Sequence, residues 1–569
     1  MAIGLARIVR RTKAVLLPVG NQKWPVARRH FNRARWHLFR WQLIQAYAEI
    51  NRSLGAVYRH GAAHRLHAYL LELLGEEEVA REAAIEAYRN DPLNPKSFQL
   101  LKKHNLETEI EIGLSMLHNL LRERRWHKTS TLNAIESLKL LERSEDALAL
   151  IAEARLKGVF KNDEEWAKHH GDALLRLRRF DEALNYLDDD LKRGECLFEL
   201  GRFDEAEQKI SGALAELPED RPRGFHTLLH MLLFARGAYR DAFLEARHRH
   251  FNRALRDDIK ASRYVHTIPP LVKAPAPVVI ADYGIGDEIR FASVYPDLIR
   301  KVDGLSFTCE PRLKTLFERS FPRASFIPVR RWREEMLIRD PKSREGVTNQ
   351  RLALYLSREA LDQVESSGAF TSIFDVLAEL RQTLGSFSHR ASYLKADKTL
   401  VGAWRQTVKQ MGEKGRPNVA LSWRSILRSS ARNCHYLRTD DLHSLAEVDA
   451  TFWLFQTGLE ESEIEKVKGI LPTAKVIPDL DLLDDFEGQA AFLTCMDCVI
   501  APCNTAAELA GALGVNTLMF GRTHGATIRL LPGGQDMWHQ SMRGVLGDPI
   551  EDKATLIANL VNELRHSLK

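Results

Sequence analysis

Residues 495–521 read CMDCVIAPCNTAAELAGALGVNTLMFG, and the order of residue types along them decides the fold class. An apolar run at 498–502 is followed by a polar turn with Asn504, a small-residue segment from Thr505 to Gly514, and a second apolar run at 515–520. Short apolar runs bounded by turn residues form buried strands, and an alanine-rich segment after a polar residue forms a helix. The stretch therefore reads as strand, crossover helix and parallel strand. Exposed amides at the start of such a helix, outside the strand ends of an open parallel sheet, attract phosphate. Ala506, Ala507, Ala510, Gly511 and Ala512 let the helix pack closely on the sheet, and Glu508 near its start is placed to accept ribose or sugar hydroxyls. The same residues serve equally well as a structural crossover, so a second element is needed.

That element is VVIADYGIGDEIRFA, residues 278–292. A short apolar run leads into a loop where Gly284 and Gly286 allow a tight turn and the close approach of a ligand. Asp287 and Glu288 follow at a helix start. Asp287 is there either an ordinary helix cap or a carboxylate placed to take a proton from an attacking hydroxyl. Strand-like segments at 305–309 and 325–329 alternate with a helical one at 311–320, so 276–410 reads as one α/β half. Residues 330–395, with Arg330, Arg331 and Arg333, fit a lid, an acceptor loop or an insertion. A second half spans 415–569, with strands at 418–423, 452–455 and 475–477 and a terminal helix at 553–567 expected to pack across both halves. Arg424, Arg428 and Arg432 recur every four residues in its first loop. They are either a solvated basic loop or the charges that neutralise a departing diphosphate.

Residues 1–270 read as successive helices. LLERSEDALALI (140–151), LRLRRFDEALNYL (175–187), FELGRFDEAEQKI (198–210) and FARGAYRDAFLEA (234–246) share a turn followed, a few residues on, by a small residue, Ala147, Ala183, Ala206 or Ala242. The spacings of 36, 23 and 36 residues bracket the period of about 34 at which helix pairs repeat in tetratricopeptide arrays. Such repeats stack into a solenoid that binds a peptide or protein.

With 569 residues the chain exceeds a single core. Its net charge of +6 is uneven: ten Lys and Arg residues precede the first acidic residue, Glu49. This arm, residues 1–59 with the first helix, is suited to anionic lipid or acidic protein, or is a solvated leader. Nucleic acid is not expected, because no aromatic-rich basic platform is evident. No apolar run is long enough to span a bilayer, and Pro18 interrupts the only signal-like core, so export is not expected. Six irregularly spaced cysteines suit a reducing compartment, and Cys495 and Cys498 lack the second pair that zinc requires. These features imply a location that is cytoplasmic or peripheral to the inner membrane.

Two resemblances add to this reading. Residues 60–270 resemble degenerate tetratricopeptide repeats, with one shortened interval. GIGDEIRFASVYPDL (284–298) resembles the GxGDE loop of tetratricopeptide-linked glycosyltransferases and, more distantly, that of heptosyltransferases. SWRS (422–425), LFQTG (454–458) and DLLDDFEGQAAFLTCMDCVIAP (481–502) followed by AELAGALG (507–514) are similar to the later motifs of the same enzymes, in the same order. The resemblance implies a helical tetratricopeptide-like solenoid followed by a GT-B fold of two Rossmann-like domains. It further implies an inverting, metal-independent bacterial glycosyltransferase that uses a nucleotide sugar, with no other cofactor, on a protein acceptor docked by the repeats. Asp287 would be the general base, and Gly284 and Gly286 would shape the donor loop. Arg424 and Arg428 would hold the donor phosphates, Asn504 and Thr505 would face the diphosphate, and Glu508 would bind donor hydroxyls. Two alternatives stand beside it: transfer onto lipopolysaccharide or capsule glycan at the inner membrane face, and a non-catalytic adaptor. The adaptor reading draws on two departures, Cys503 and Glu508, which stand where those enzymes carry Asp and His.

Overall fold

A computed structural model describes residues 23–40, 42–74, 76–91, 94, 96–97, 100–101, 114, 118, 126–141, 143–216, 223–259, 261–331, 346–349, 351–387, 390–425, 435–522, 524, 528–547 and 553–568. The chain forms two units, Met1–Leu177 and Arg178–Lys569. The first is helical. Trp24–Phe39 packs against Leu43–Ala56, and Gly61–Leu73 against Glu77–Asn90. The helices Lys128–Leu140, Ser144–Leu156 and Asp163–Arg176 enclose a core that includes Ile135, Ala147 and Ile151.

The second unit begins with further helices, among them Asp190–Glu199, Phe203–Glu216, Arg223–Ala235 and Tyr239–Glu245. Ala183, Ala206 and Ala242, the small residues of the sequence repeat, are fully buried. The turn before each repeat helix needs a left-handed residue: Gly201 has φ +72° and Gly237 φ +73°, and Arg178 takes φ +63° at the matching position. Glycine occupies this conformation without the steric cost a side chain incurs.

Two parallel sheets follow. The first contains β1 (Val278–Ile280), β2 (Ser306–Cys309), β3 (Ser325–Pro328) and β4 (Phe370–Ser372) in the order β3-β2-β1-β4. Val278 pairs with Ser306 on one side and Phe370 on the other. The second contains β5 (Asn418–Leu421), β6 (Thr451–Leu454), β7 (Cys498–Pro502), β8 (Thr517–Gly521) and β9 (Met542–Leu546) in the order β6-β5-β7-β8-β9. The strands β1, β4, β6, β7 and β8 are buried along their whole length, which explains why β1, β7 and β8 read as largely continuous apolar runs rather than alternating ones.

Several sequence expectations are revised. Residues 475–477 are not a strand: Lys475 makes one bridge to Trp453, and Pro472 and Pro478 on either side lack the N–H a longer ladder requires. The helix at the GIGDE loop opens at Ile285, with Gly284 as N-cap, so Asp287 lies inside its first turn. β4 lies within the stretch that had no single reading, and Arg333 lies outside the described residues. The terminal helix Lys553–Ser567 packs within the second half, against β8, β9 and the segment Thr439–Glu447. Its Leu556, Leu560 and Leu564 join Val419, Phe452 and Phe520 in one core.

Candidate functional site

In each sheet the chain leaves a central strand in one direction and later returns on its other side, which opens a crevice at the carboxyl ends of the strands. In the first sheet the crevice lies between β1 and β4, and in the second between β5 and β7. The loop after β1 runs through Asp282 and Gly284 into the helix Ile285–Phe291. The loop after β7 runs through Cys503 and Asn504 into the helix Thr505–Leu513. The two helix starts meet. A Cβ on Gly286 would lie 3.3 Å from both the Cα and Oγ1 of Thr505, so glycine at 286 is what allows one helix start to rest on the other.

Asn504 is the N-cap of its helix. Its Oδ1 accepts from the Ala506 N–H at 3.0 Å and the Ala507 N–H at 3.2 Å, and its Nδ2 donates to Ser422 Oγ at 3.2 Å. Gln456 Oε1 accepts from the backbone N–H of Trp423 at 2.9 Å and of Arg424 at 3.0 Å, tying the end of β6 to the loop after β5. The QTG signal in the sequence is thus a loop-fixing amide.

Asp287 keeps a third of its side chain exposed and pairs with Arg290. Its surroundings raise its pKa, because the loss of solvation there outweighs the neighbouring Arg290 charge. Cys503, in the loop after β7, is exposed, and desolvation of its thiol by the surrounding protein raises its pKa. It accepts from Arg529 Nη1 at 3.7 Å.

Glu508, expected at donor hydroxyls, is buried and fully committed. Oε1 accepts from Arg529 Nη1 at 2.5 Å and lies 3.4 Å from Arg290 Nη1, while Oε2 is 2.8 Å from His539 Nε2. Burial works against its charge, yet Arg529 and Arg290, with the His539 hydrogen bond, hold its carboxyl well below the usual carboxylate range. Arg529 is held from its other side by Asp536, with Nε donating at 2.5 Å. Arg424, expected at donor phosphates, is likewise taken up within the protein: Nε and Nη2 bond Glu463 at 3.2 and 2.5 Å, and Nη2 also donates to the Gly458 carbonyl at 3.1 Å. Arg428 lies outside the described residues. Glu288 is buried beneath the loop, where it accepts from Arg331 Nη2 at 2.8 Å and from the Glu310 N–H at 2.9 Å.

The structure adds residues that no motif singled out. Arg249, which precedes the helix His250–Asp257, donates to the buried Asp282 at 3.0 Å and stacks 4.4 Å over Tyr283. Arg529 and His539 stand in a segment without recognisable spacing, and their role appears only once Glu508 is placed. The cleft therefore combines one partly exposed carboxylate with elevated proton affinity, two helix starts, and a buried ion network behind them. Such an arrangement can accept a proton at Asp287 and offer the Thr505 N–H and hydroxyl to an anion. Among the described residues no group of three or more His, Cys, Asp or Glu side chains could hold a metal ion.

No family model matches the chain. Protein FlbA of Caulobacter vibrioides is 30% identical over 255 residues, covering 42% of this chain and 38% of that protein. The chain thus matches well under half the length of its curated relative. Among solved structures, a family 9 glycosyl transferase from Veillonella parvula is 11% identical with a TM-score of 0.34, covering 51% of this chain and 91% of that one. The E. coli heptosyltransferase WaaC bound to ADP is 12% identical at a TM-score of 0.31, covering 52% and 100%. An O-GlcNAc transferase mutant from Thermobaculum terrenum is 11% identical at 0.31, covering 97% and 93%.

Proposed function

We propose that the chain is a nucleotide-sugar-dependent glycosyltransferase of the GT-B type, with its site in the cleft where Gly286 meets Thr505. The observation that carries this reading is the convergence of two switch-point loops, each from its own parallel sheet, on one partly exposed carboxylate. The acceptor hydroxyl attacks the anomeric carbon of the donor and Asp287 takes its proton. The bond from that carbon to the phosphate oxygen breaks, and the electron pair leaves with the nucleoside diphosphate. Attack from the face opposite the leaving group inverts the anomeric centre. The Thr505 N–H and hydroxyl bind the diphosphate, which no metal need assist, while the Ala506 and Ala507 amides stay with the Asn504 cap. Glu508 acts through Arg290, the partner of Asp287, and Arg424 fixes the loop after β5 rather than touching phosphate. The helical repeats dock a protein acceptor in the cytoplasm.

Thermal unfolding against UDP-, GDP-, ADP- and CMP-linked sugars tests the donor site. A ligand present at a hundred times its Kd stabilises the folded state by about 2.7 kcal/mol, so one nucleotide class is expected to raise the midpoint. Asp287→Ala is expected to keep that shift and lose transfer by a factor of roughly 100 to 10,000. Full transfer activity in a folded Asp287→Ala protein would exclude the catalytic assignment. A non-catalytic adaptor is the second reading, favoured by the saturation of Arg424 and Glu508 with protein partners. It predicts no shift with any nucleotide class.

A further inference from the structure

The helix Trp24–Phe39 divides into two faces at 100° per residue. Ala27 and Ala34 are fully buried, and with Phe31 and Leu38 they form the face that packs on neighbouring helices. The opposite face presents Trp24, Arg28, Arg29, Arg33, Trp36 and Phe39. Its aromatic residues leave much of their surface in water: Trp24, whose ring also meets His60 edge-on, is 41% exposed, Trp36 49% and Phe39 87%. Large aromatic rings left in water on one face, interleaved with guanidinium groups, match the zone between lipid headgroups and acyl chains. There indole sits at headgroup level and arginine reaches anionic phosphate.

The charge on this surface is of one sign. Lys23, Arg28, Arg29, Arg33, Arg35 and Arg40 are all exposed, and no acidic residue lies between positions 1 and 48. The nearest carboxylate, Glu49, is buried and already bonded to His30 at 2.6 Å and to Arg52. The preceding segment adds Arg7, Arg10, Arg11 and Lys13, charges of the same sign.

We infer that the outer face of Trp24–Phe39 is a docking surface for an anionic lipid bilayer. Val26, 49% exposed, and Phe39 separate this occupant from a nucleic acid. Their side chains gain nothing from a phosphate backbone but leave water when they enter the acyl boundary. The helix spans about 24 Å at 1.5 Å per residue, and Trp24 and Trp36 stand near its two ends, so both ends are anchored while the arginines between them meet headgroup phosphate. The inference is independent of the activity proposed for the cleft.

Sedimentation of the full chain with vesicles tests it, using pure phosphatidylcholine and a mixture with about a third phosphatidylglycerol. Binding is expected to the anionic vesicles alone and to weaken with salt over the range in which exposed charges are screened. Arg28→Glu, Arg29→Glu and Arg33→Glu together are expected to lower the partition coefficient roughly a hundredfold, because each basic residue near an anionic surface contributes about a factor of five. Trp24→Ala with Trp36→Ala is expected to weaken binding severalfold and to abolish the blue shift in tryptophan emission that vesicles produce. The three arginines and Trp36 face water, so the charge-reversed chain and Trp36→Ala alone are expected to unfold at the temperature of the parent chain, which separates lost docking from lost folding; Trp24 also packs edge-on against His60. Equal binding to phosphatidylcholine, unchanged binding of the charge-reversed chain, equal retention on a polyglutamate or duplex DNA matrix, or loss of binding only when residues 1–22 are removed would each overturn the inference.

Discussion

Arg290 Nη1 lies 3.4 Å from Glu508 Oε1, so a guanidinium from the first α/β half is held against a carboxylate of the second. Arg290 also pairs with Asp287, while Glu508 is bonded to Arg529 and His539. The cleft carboxylate is thus connected through Arg290 to a buried network anchored beside β9. Removing a member of such a network leaves the remaining charges buried without compensation. Glu508→Ala is expected to destabilise the chain by about 3 kcal/mol, the lower end for a broken buried ion pair because Asp536 still holds Arg529. Glu508→Gln, which keeps an oxygen toward the arginines, is expected to lose less. Urea unfolding midpoints of the two variants against the parent check the order.

The same carboxylate makes stability depend on pH. Its folded-state pKa is depressed below an ordinary value of 4.5, so the unfolded chain takes up its proton first on acidification. Its contribution is complete above about pH 4.5 and is lost as the pH falls further. Melting temperatures of the parent chain are expected to decline more steeply below that pH than those of Glu508→Gln.

Glu199 has the opposite sign. Burial pushes its carboxyl up to about 7 despite the nearby Arg178 and the His524 N–H. Between pH 4.5 and 7 the folded state holds a proton that the unfolded chain has released, so the stability from this group falls as pH rises through that window and then levels off. In Glu199→Gln this slope is expected to disappear, which a series of melts from pH 5 to about 8 would detect. A slope equal to that of the parent would show that another group is responsible.

Gly514 ends the helix Thr505–Leu513 with φ +81°, and a Cβ there would come within 2.7 Å of the Ala391 carbonyl oxygen. Gly514→Ala is expected to cost about 1–2 kcal/mol from the left-handed conformation alone, with the backbone clash in addition. Gly158, also left-handed at φ +67° but with nothing within 4 Å, isolates the conformational part: Gly158→Ala is expected to be the milder change in parallel thermal melts.

The proton affinity of Asp287 sets the acid side of the activity proposed for the cleft. A general base must be ionised, and burial raises this carboxyl above its ordinary value of 3.8. Transfer activity is therefore expected to fall on acidification at a pH above that of a solvent-exposed aspartate, in a profile of rate against pH. Arg290→Lys, which keeps the charge but loses the fork geometry, is expected to move that limb upward.

Strands in this chain were legible where burial on both faces made them continuous apolar runs, as at 498–502 and 515–520. β4 was harder to read because it has only three residues, and Phe370–Ser372 lacks a distinctive pattern. β9 is broken by the exposed Arg543 and half-buried Gly544 between Met542 and Val545, and lacks the run that marked its neighbours. The GIGDE and AELAGALG stretches revealed where helix starts would lie, because glycine, Asn504 and small residues act locally. The commitment of Glu508 to Arg529 and of Arg424 to Glu463 was not legible, since ion pairs at separations of 21 and 39 residues leave no local pattern.

The sequence by itself determined the order of helical and α/β segments, the burial of the repeat alanines and the glycine turns, because each follows from the chemistry of a few neighbouring residues. Only the tertiary structure decided which charges are free and which are neutralised within the protein. A guanidinium or carboxylate has the same identity in either case, and only the distance to its partner and its exclusion from water distinguish them.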